Sequence, residues 1–284
     1  MRPGSYSGSV NATVGSVAAI RPFGVVVVGE PISSGVLNGC ALKPDGSVAC
    51  WGDNQYGQLG DGSLVTSATP VTVPGLTGLL ALSAGGGHTC ALKADRTVSC
   101  WGQNVRGGLG DGTVVNKSSP TAVTGLTGAV ALSGGTLHTC ALKADATVVC
   151  WGVNDTGQLG DGTLIDRLTP TAVPGLTNVV AISAGKQHTC ALRSTGTVHC
   201  WGLNAEGQLG NGSVTAISPP APVRVANLSG AVAIDAGTDH SCALKTDGSA
   251  ACWGRNTDGQ VGDGSLSLTR TAVTPVLGGA VYWK

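Results

Sequence analysis

The stretch His138-Thr-Cys-Ala-Leu-Lys-Ala-Asp-Ala-Thr-Val-Val-Cys-Trp-Gly-Val-Asn-Asp-Thr-Gly-Gln-Leu-Gly-Asp-Gly162 occurs five times in this chain with small changes. Its Trp-Gly pair falls at Trp51, Trp101, Trp151, Trp201 and Trp253, a period of 50, 50, 50 and then 52 residues. A fixed period in this range marks a propeller or a solenoid, because one unit cannot bury its own faces and must stack on the next. Inside each copy the apolar runs are short and bounded by Gly and Pro. No stretch carries the i, i+3, i+4, i+7 stripe of an amphipathic helix. The expectation is an all-β chain.

Each copy holds two cysteines ten residues apart: Cys40 and Cys50, Cys90 and Cys100, Cys140 and Cys150, Cys190 and Cys200, Cys242 and Cys252. In the first copy Cys40-Ala-Leu-Lys43 runs into Pro44-Asp45-Gly46 and returns as Ser47-Val-Ala-Cys50. A three-residue loop ending in Gly, a type I turn with a Gly bulge, pairs Lys43 with Ser47. That register sets Cys40 opposite Cys50. Opposed residues of a non-hydrogen-bonded pair bring their Cβ atoms close to disulfide distance. The turn varies in chemistry between copies but never in length. Two other readings stand beside this one. The cysteines could be small buried hydrophobes, or zinc ligands, although two ligands facing across a hairpin leave two more to be supplied. Five matched pairs with no odd cysteine favour disulfides, each short loop contributing roughly 2–3 kcal/mol through chain entropy. Disulfides persist in oxidising compartments, so the expected location is secreted, cell-surface or periplasmic.

Charged residues are 11% of the chain and cancel to a formal net charge of +0. They leave no basic footprint for nucleic acid, which is not expected as a partner. The 46 glycines are locked to repeat positions, against a collagen-like or low-complexity chain. The longest apolar run near the start, Phe23-Gly-Val-Val-Val-Val28, falls far short of the ~18–20 residues of a membrane span. The segment from Met1 lacks the basic-then-apolar layout of a signal peptide. A leader already removed, an excised domain and a chain never exported stay open.

Residues 76–126 illustrate one unit. Leu79-Leu-Ala-Leu-Ser83 reads as a strand, followed by the Gly85-Gly86-Gly87 loop. His88-Thr-Cys-Ala-Leu92 and Val98-Ser-Cys-Trp-Gly102 form the cysteine hairpin, Asn104 to Gly112 is turn-rich, and Thr121-Ala-Val123 is a short outer strand. Four strands per unit suit a propeller blade. The motifs His-Thr-Cys-Ala-Leu, Val-x-Cys-Trp-Gly and Gly-Gln-Leu-Gly-Asp-Gly, recurring over residues 36–265, resemble the regulator of chromosome condensation repeat family, in the cysteine-bearing form of bacterial exported members. The resemblance implies a β-propeller, commonly seven-bladed. Here five repeats of about 50 residues are readable. The expected organisation is a divergent N-terminal segment, 1–35, and a repeat propeller, 36–284. Gly279-Ala-Val-Tyr-Trp283 looks like the first strand of another unit. With Val25–Val28 it would close a ring of five or six blades. Part of a seven-bladed ring is the alternative.

His88, His138, His188 and His240 recur once per unit, with Asn38 in the first. One per blade does not make a cluster, so an inter-blade hydrogen bond is the favoured role over metal. His199 has no partner in the sequence. Asp61, Asp111, Asp161 and Asp263, with Asn211, read as Asx turn formers, since a calcium cage needs several carboxylates per loop. Asn54, Asn104, Asn154, Asn204 and Asn256 are expected to satisfy loop backbone. No nucleophile elbow, phosphate loop or paired carboxylate is present, so neither catalysis, metal nor cofactor is expected. Two loops per unit do vary, and in a propeller equivalent loops line one face. They offer Gln55, Tyr56, Val105, Arg106, Lys186, Gln187, Glu206 and Asp239 as partner-binding residues, with Tyr and Arg the favoured anchors. Free drift of surface loops is the bland alternative. Three functions follow: a protein-binding exported scaffold, as the resemblance to a secreted bacterial inhibitor of β-lactamases implies; a self-associating surface, adhesion or filament subunit; and the family's nucleotide exchange on a small GTPase.

Overall fold

A computed structural model of the chain describes residues 32–215 and 220–276. They form five separate antiparallel sheets, each of four strands in sequential order. We call these blades 1 to 5: 32–73, 79–122, 129–172, 179–224 and 231–275. Blade 2 is built from Leu79–Ala84, His88–Lys93, Val98–Gly102 and Lys117–Ala122, from the axis outward. Blade 1 takes its inner strand, Ile32–Ser34, from the 1–35 segment. The ring-closing strands expected at Val25–Val28 and in Gly279-Ala-Val-Tyr-Trp283 lie outside the described residues.

The hairpin register follows from turn length. Lys43 donates its N–H to the Ser47 carbonyl at 2.8 Å, and Leu42, Ala41 and Cys40 then face Val48, Ala49 and Cys50. All five cysteine pairs are disulfides with Cα atoms 4.1 Å apart. Where the turn lacks its final Gly, Arg96 and Ala146 take φ of 66° and 61°, accepting a left-handed backbone to keep the register.

The core is divided among the seams between blades. One cluster joins Cys40, Val48, Cys50 and Leu59 of blade 1 to Leu82, Ala91 and Trp101 of blade 2, and the three later seams repeat it. Each indole crosses its seam. Trp101, Trp151, Trp201 and Trp253 donate from Nε1 to the carbonyls of Gln58, Gly108, Gln158 and Gln208 in the preceding blade, at 2.8–2.9 Å. The approach requires Gly at the facing position. A methyl on Gly110, already at φ +70°, would stand 2.7 Å from Trp151 Nε1. Trp51, in the first blade, is partly exposed.

A second chain of bonds runs beside the indole. Thr139 donates its hydroxyl to the Gly108 carbonyl at 3.0 Å, so its oxygen accepts from His88 Nε2 at 2.8 Å. His138 meets Thr189 at 2.9 Å and His188 meets Ser241 at 2.9 Å in the same way. Asn38 supplies the equivalent N–H to Thr89 at 3.2 Å. Three of the recurring histidines, His88, His138 and His188, are therefore inter-blade struts, whereas His240 of the last blade is only partly buried. Because the hydroxyl proton is committed to a carbonyl, the imidazole must be the Nε2–H tautomer. Nearer the axis, Ser33, Ser83, Ser133 and Ser183 accept the N–H of Ala84, Gly134, Ala184 and Ala236 at 2.8–2.9 Å. These inner strands line a groove of about 240 Å³.

Candidate functional site

In every blade the loop after the inner strand and the long loop after the third strand leave the same end of the sheet. Backbone bonds join them into one face. Gln103 N–H donates to Gly87 O at 2.8 Å within blade 2. Between blades, Gly86 N–H donates to Gly135 O at 3.1 Å, Thr136 N–H to Lys186 O at 3.4 Å and Lys186 N–H to Thr238 O at 3.2 Å.

The long loop is held from inside by its buried asparagine. Asn154 donates to the carbonyls of Thr163 and Ile165 at 3.0 and 3.1 Å and accepts the Leu159 N–H at 3.0 Å. The Asp-Gly turn is an Asx turn, with Thr163 N–H on Asp161 Oδ1 at 2.9 Å. Arg167 and Arg270 pair with Asp161 and Asp263, so these carboxylates are structural. Among the described residues no three His, Cys, Asp or Glu side chains are grouped to hold a metal, and no helix is long and apolar enough to cross a membrane.

All eight variable-loop residues stand at this end of the sheets, but not in one cluster. Gln55 and Lys186 are exposed, and Gln187, Glu206 and Asp239 are partly exposed. The Tyr56 ring lies toward blade 2, where a methyl on Gly87 would come 3.4 Å from Tyr56 Cδ2. Val105 is half exposed. Arg106 is already engaged across the seam to blade 3, donating to both oxygens of Asp166 at 2.5 and 2.8 Å and to Asp155 at 2.8 Å. Burial works against the Asp155 carboxylate, but Arg106 and Gln158 outweigh it and hold it below the usual range. Arg106 thus fixes two loops together and offers a partner a neutralised cation.

One feature of this face was missed in the sequence. Just beyond each Asp-Gly or Asn-Gly turn stand exposed aliphatic side chains: Leu64 and Val65, Val114 and Val115, Leu164 and Ile165, Val214, and Leu266 at 74%. The asparagine clamp fixes their backbone, so they cannot fold back into the core. Apolar groups are thus held in water in every blade. The signal was present as an apolar pair after the turn in the first three copies and a single aliphatic in the last two, but apolar residues in a strand-rich repeat read as strand.

The regulator of chromosome condensation (RCC1) repeat matches residues 45–92, 97–142, 145–192 and 195–244 in one family profile, and residues 80–107, 129–158, 179–208 and 231–260 in a second. No curated protein sequence matches the chain. Among solved structures, yeast RCC1 (Prp20) bound to Kap60 is 26% identical with a TM-score of 0.76, over 87% of this chain and 63% of that one. A structure of Prp20p from Saccharomyces cerevisiae, whose binding to Gsp1p and histones was studied, is 25% identical with a TM-score of 0.73, over 85% and 61%. Human WBSCR16 shares the fold, at 23% identity and a TM-score of 0.77, over 87% and 66%. The chain spans a little under two thirds of the length of these proteins. With five four-stranded blades and repeat matches along most of its length, the chain belongs to the regulator of chromosome condensation (RCC1) repeat family.

Proposed function

We propose that this chain is an exported, non-enzymatic scaffold that binds a protein partner through the face made by its variable loops. The observation that carries the reading is the contrast within that face. Its backbone is fixed by inter-blade hydrogen bonds and asparagine clamps, while its side chains are the non-repeating part of the protein and include exposed aliphatics in every blade. A rigid surface with exposed apolar groups loses little entropy on binding. The disulfides support an oxidising setting. They weigh against the nuclear or cytosolic nucleotide-exchange role that the family resemblance offers.

Recovery of partners from the extracellular fraction of the source organism tests this. A protein captured by the wild type and lost from Tyr56→Ala and Ile165→Asp, with unchanged unfolding midpoints, supports the reading. Equal capture by all loop variants would overturn it. A second reading, self-association as a surface or filament subunit, is favoured by partial exposure of Trp51, whose four counterparts are each sealed by a preceding blade. Sedimentation velocity across a concentration series separates the two: growth of the particle with concentration favours the second.

A further inference from the structure

Blade 4 departs from the repeat at four positions that meet in space. Its hairpin turn is Ser194-Thr195-Gly196, where the other turns carry Asp45, Asp95, Asp145 and Asp247. The strand before that turn ends in Arg193 where the others end in lysine. Its third strand carries His199 where the others have Ala49, Ser99, Val149 and Ala251. Its outer strand carries Arg224 at the register position of Thr72, Ala122 and Ala172.

The register places His199 opposite Arg224 on one side and opposite Ala191, two residues before Arg193, on the other. All three side chains therefore leave one face of the sheet. Opposed Cβ atoms lie about 5 Å apart, and the diagonal to Arg193 is about 7–8 Å, within reach of long side chains. That face looks toward blade 3. Ala191 packs with Val173 and Leu176, and Arg193 donates to Thr177 O at 2.9 Å and Thr177 Oγ1 at 3.3 Å.

The charge of this group is uncompensated. In blades 3 and 5 the equivalent lysines are paired in their own turns, Lys143 with Asp145 at 3.1 Å and Lys245 with Asp247 at 2.9 Å. Between Asp166 and Asp235 the sequence has one acid, Glu206, in a loop at the other end of the sheet. Burial first, then the charges of Arg193 and Arg224, lower the affinity of His199 for a proton. Its Nδ1 is buried without a hydrogen-bond partner among the described residues.

We propose that Arg193, His199 and Arg224 form a binding site for a compact oxyanion, a phosphate or sulfate group, at the outer edge of the seam between blades 3 and 4. Arg193, oriented by Thr177, and Arg224 supply guanidinium donors whose planar forks fit such oxygens. The imidazole between them is the third donor. The site stands at the opposite end of the sheet from the variable loops and is independent of any partner bound there.

The test is NMR of the histidine rings in the full chain, with His199 assigned by His199→Gln. Inorganic phosphate and, separately, sulfate are added against sodium chloride at constant ionic strength. The expected result is a saturable shift of the His199 ring signals and a higher titration midpoint. Arg193→Ala and Arg224→Ala should each weaken binding about tenfold or more, as expected for loss of a charge-assisted bond. Unshifted His88, His138 and His188 signals show that the variants are folded. Phenyl phosphate distinguishes an ester-binding site from one for the free ion. A His199 response no larger than that to chloride, or one unchanged in the Arg193→Ala/Arg224→Ala double variant, overturns the proposal.

Discussion

Lowering the pH from 7.5 to 5.0 charges histidines in the unfolded chain while leaving the seam histidines neutral in the folded one. Burial pushes His88 from 6.5 down to about 4 and His138 and His188 to about 3, with neighbouring histidines adding to the last two. The cause is visible in the seam: Nε2–H is committed to a hydroxyl, and Nδ1 is buried without a partner. The folded pKa lies below the unfolded one, so between them the unfolded chain binds more protons and stability falls as pH falls, beginning near 6.5. At pH 5.0, about 1.5 units below the unfolded value, each histidine removes about 2 kcal/mol, and the three together about 6 kcal/mol. The turn carboxylates act in a separate window. Asp61, Asp111 and Asp161 are lowered in the fold, and their contribution is lost mainly below about pH 5. Blade 1 supplies the control, because Asn38 makes the same bond to a hydroxyl without an ionisable ring. Urea unfolding followed by tryptophan fluorescence at pH 7.5 and 5.0 should show a large loss in the wild type. In His138→Asn the loss should be smaller by about one third. Equal stability at the two pH values, or an unchanged loss in His138→Asn, would refute the strut assignment.

Two further outcomes follow from the seams and hairpins. Gly110→Ala and Gly125→Ala place the same methyl at φ +70° and +72°, but only the first meets Trp151, with open space at the second. Both should lose about 1–2 kcal/mol to backbone strain, and Gly110→Ala about 1–3 kcal/mol more to overpacking, read from urea midpoints; equal losses would sink the seam argument. Alkylating the denatured, unreduced protein from its native source should leave all ten cysteines unlabelled in the intact mass, and Cys140→Ala/Cys150→Ala should cost about 2–3 kcal/mol; ten labels would show buried thiols and remove the case for export.

The repeat spacing and turn lengths alone determined the all-β fold, the strands of each blade and the cysteine register. These are local quantities. A three-residue turn between Lys43 and Ser47 leaves one register, and Cys40 then meets Cys50 whatever the rest of the chain does. The seam roles of the Trp-Gly pair and the histidines were half legible. Their recurrence showed that they were structural, but their partners, such as Gly108 O for Trp151, lie 43 residues away and are named only by the stacking of blades. The candidate face was legible as a pair of variable loops and illegible in its chemistry. Arg106, the expected anchor, is bound by Asp155 and Asp166 from the next blade, a pairing set by the seam. Whether Val65, Val115 and Ile165 are core or surface depends on the asparagine clamp beneath them. His199 is uninformative in sequence because Arg193 and Arg224 reach it only through strand pairing. Local chain geometry fixes what pairs within a hairpin; stacking of units distant in sequence decides which polar groups are spent holding the protein together and which are left for a partner.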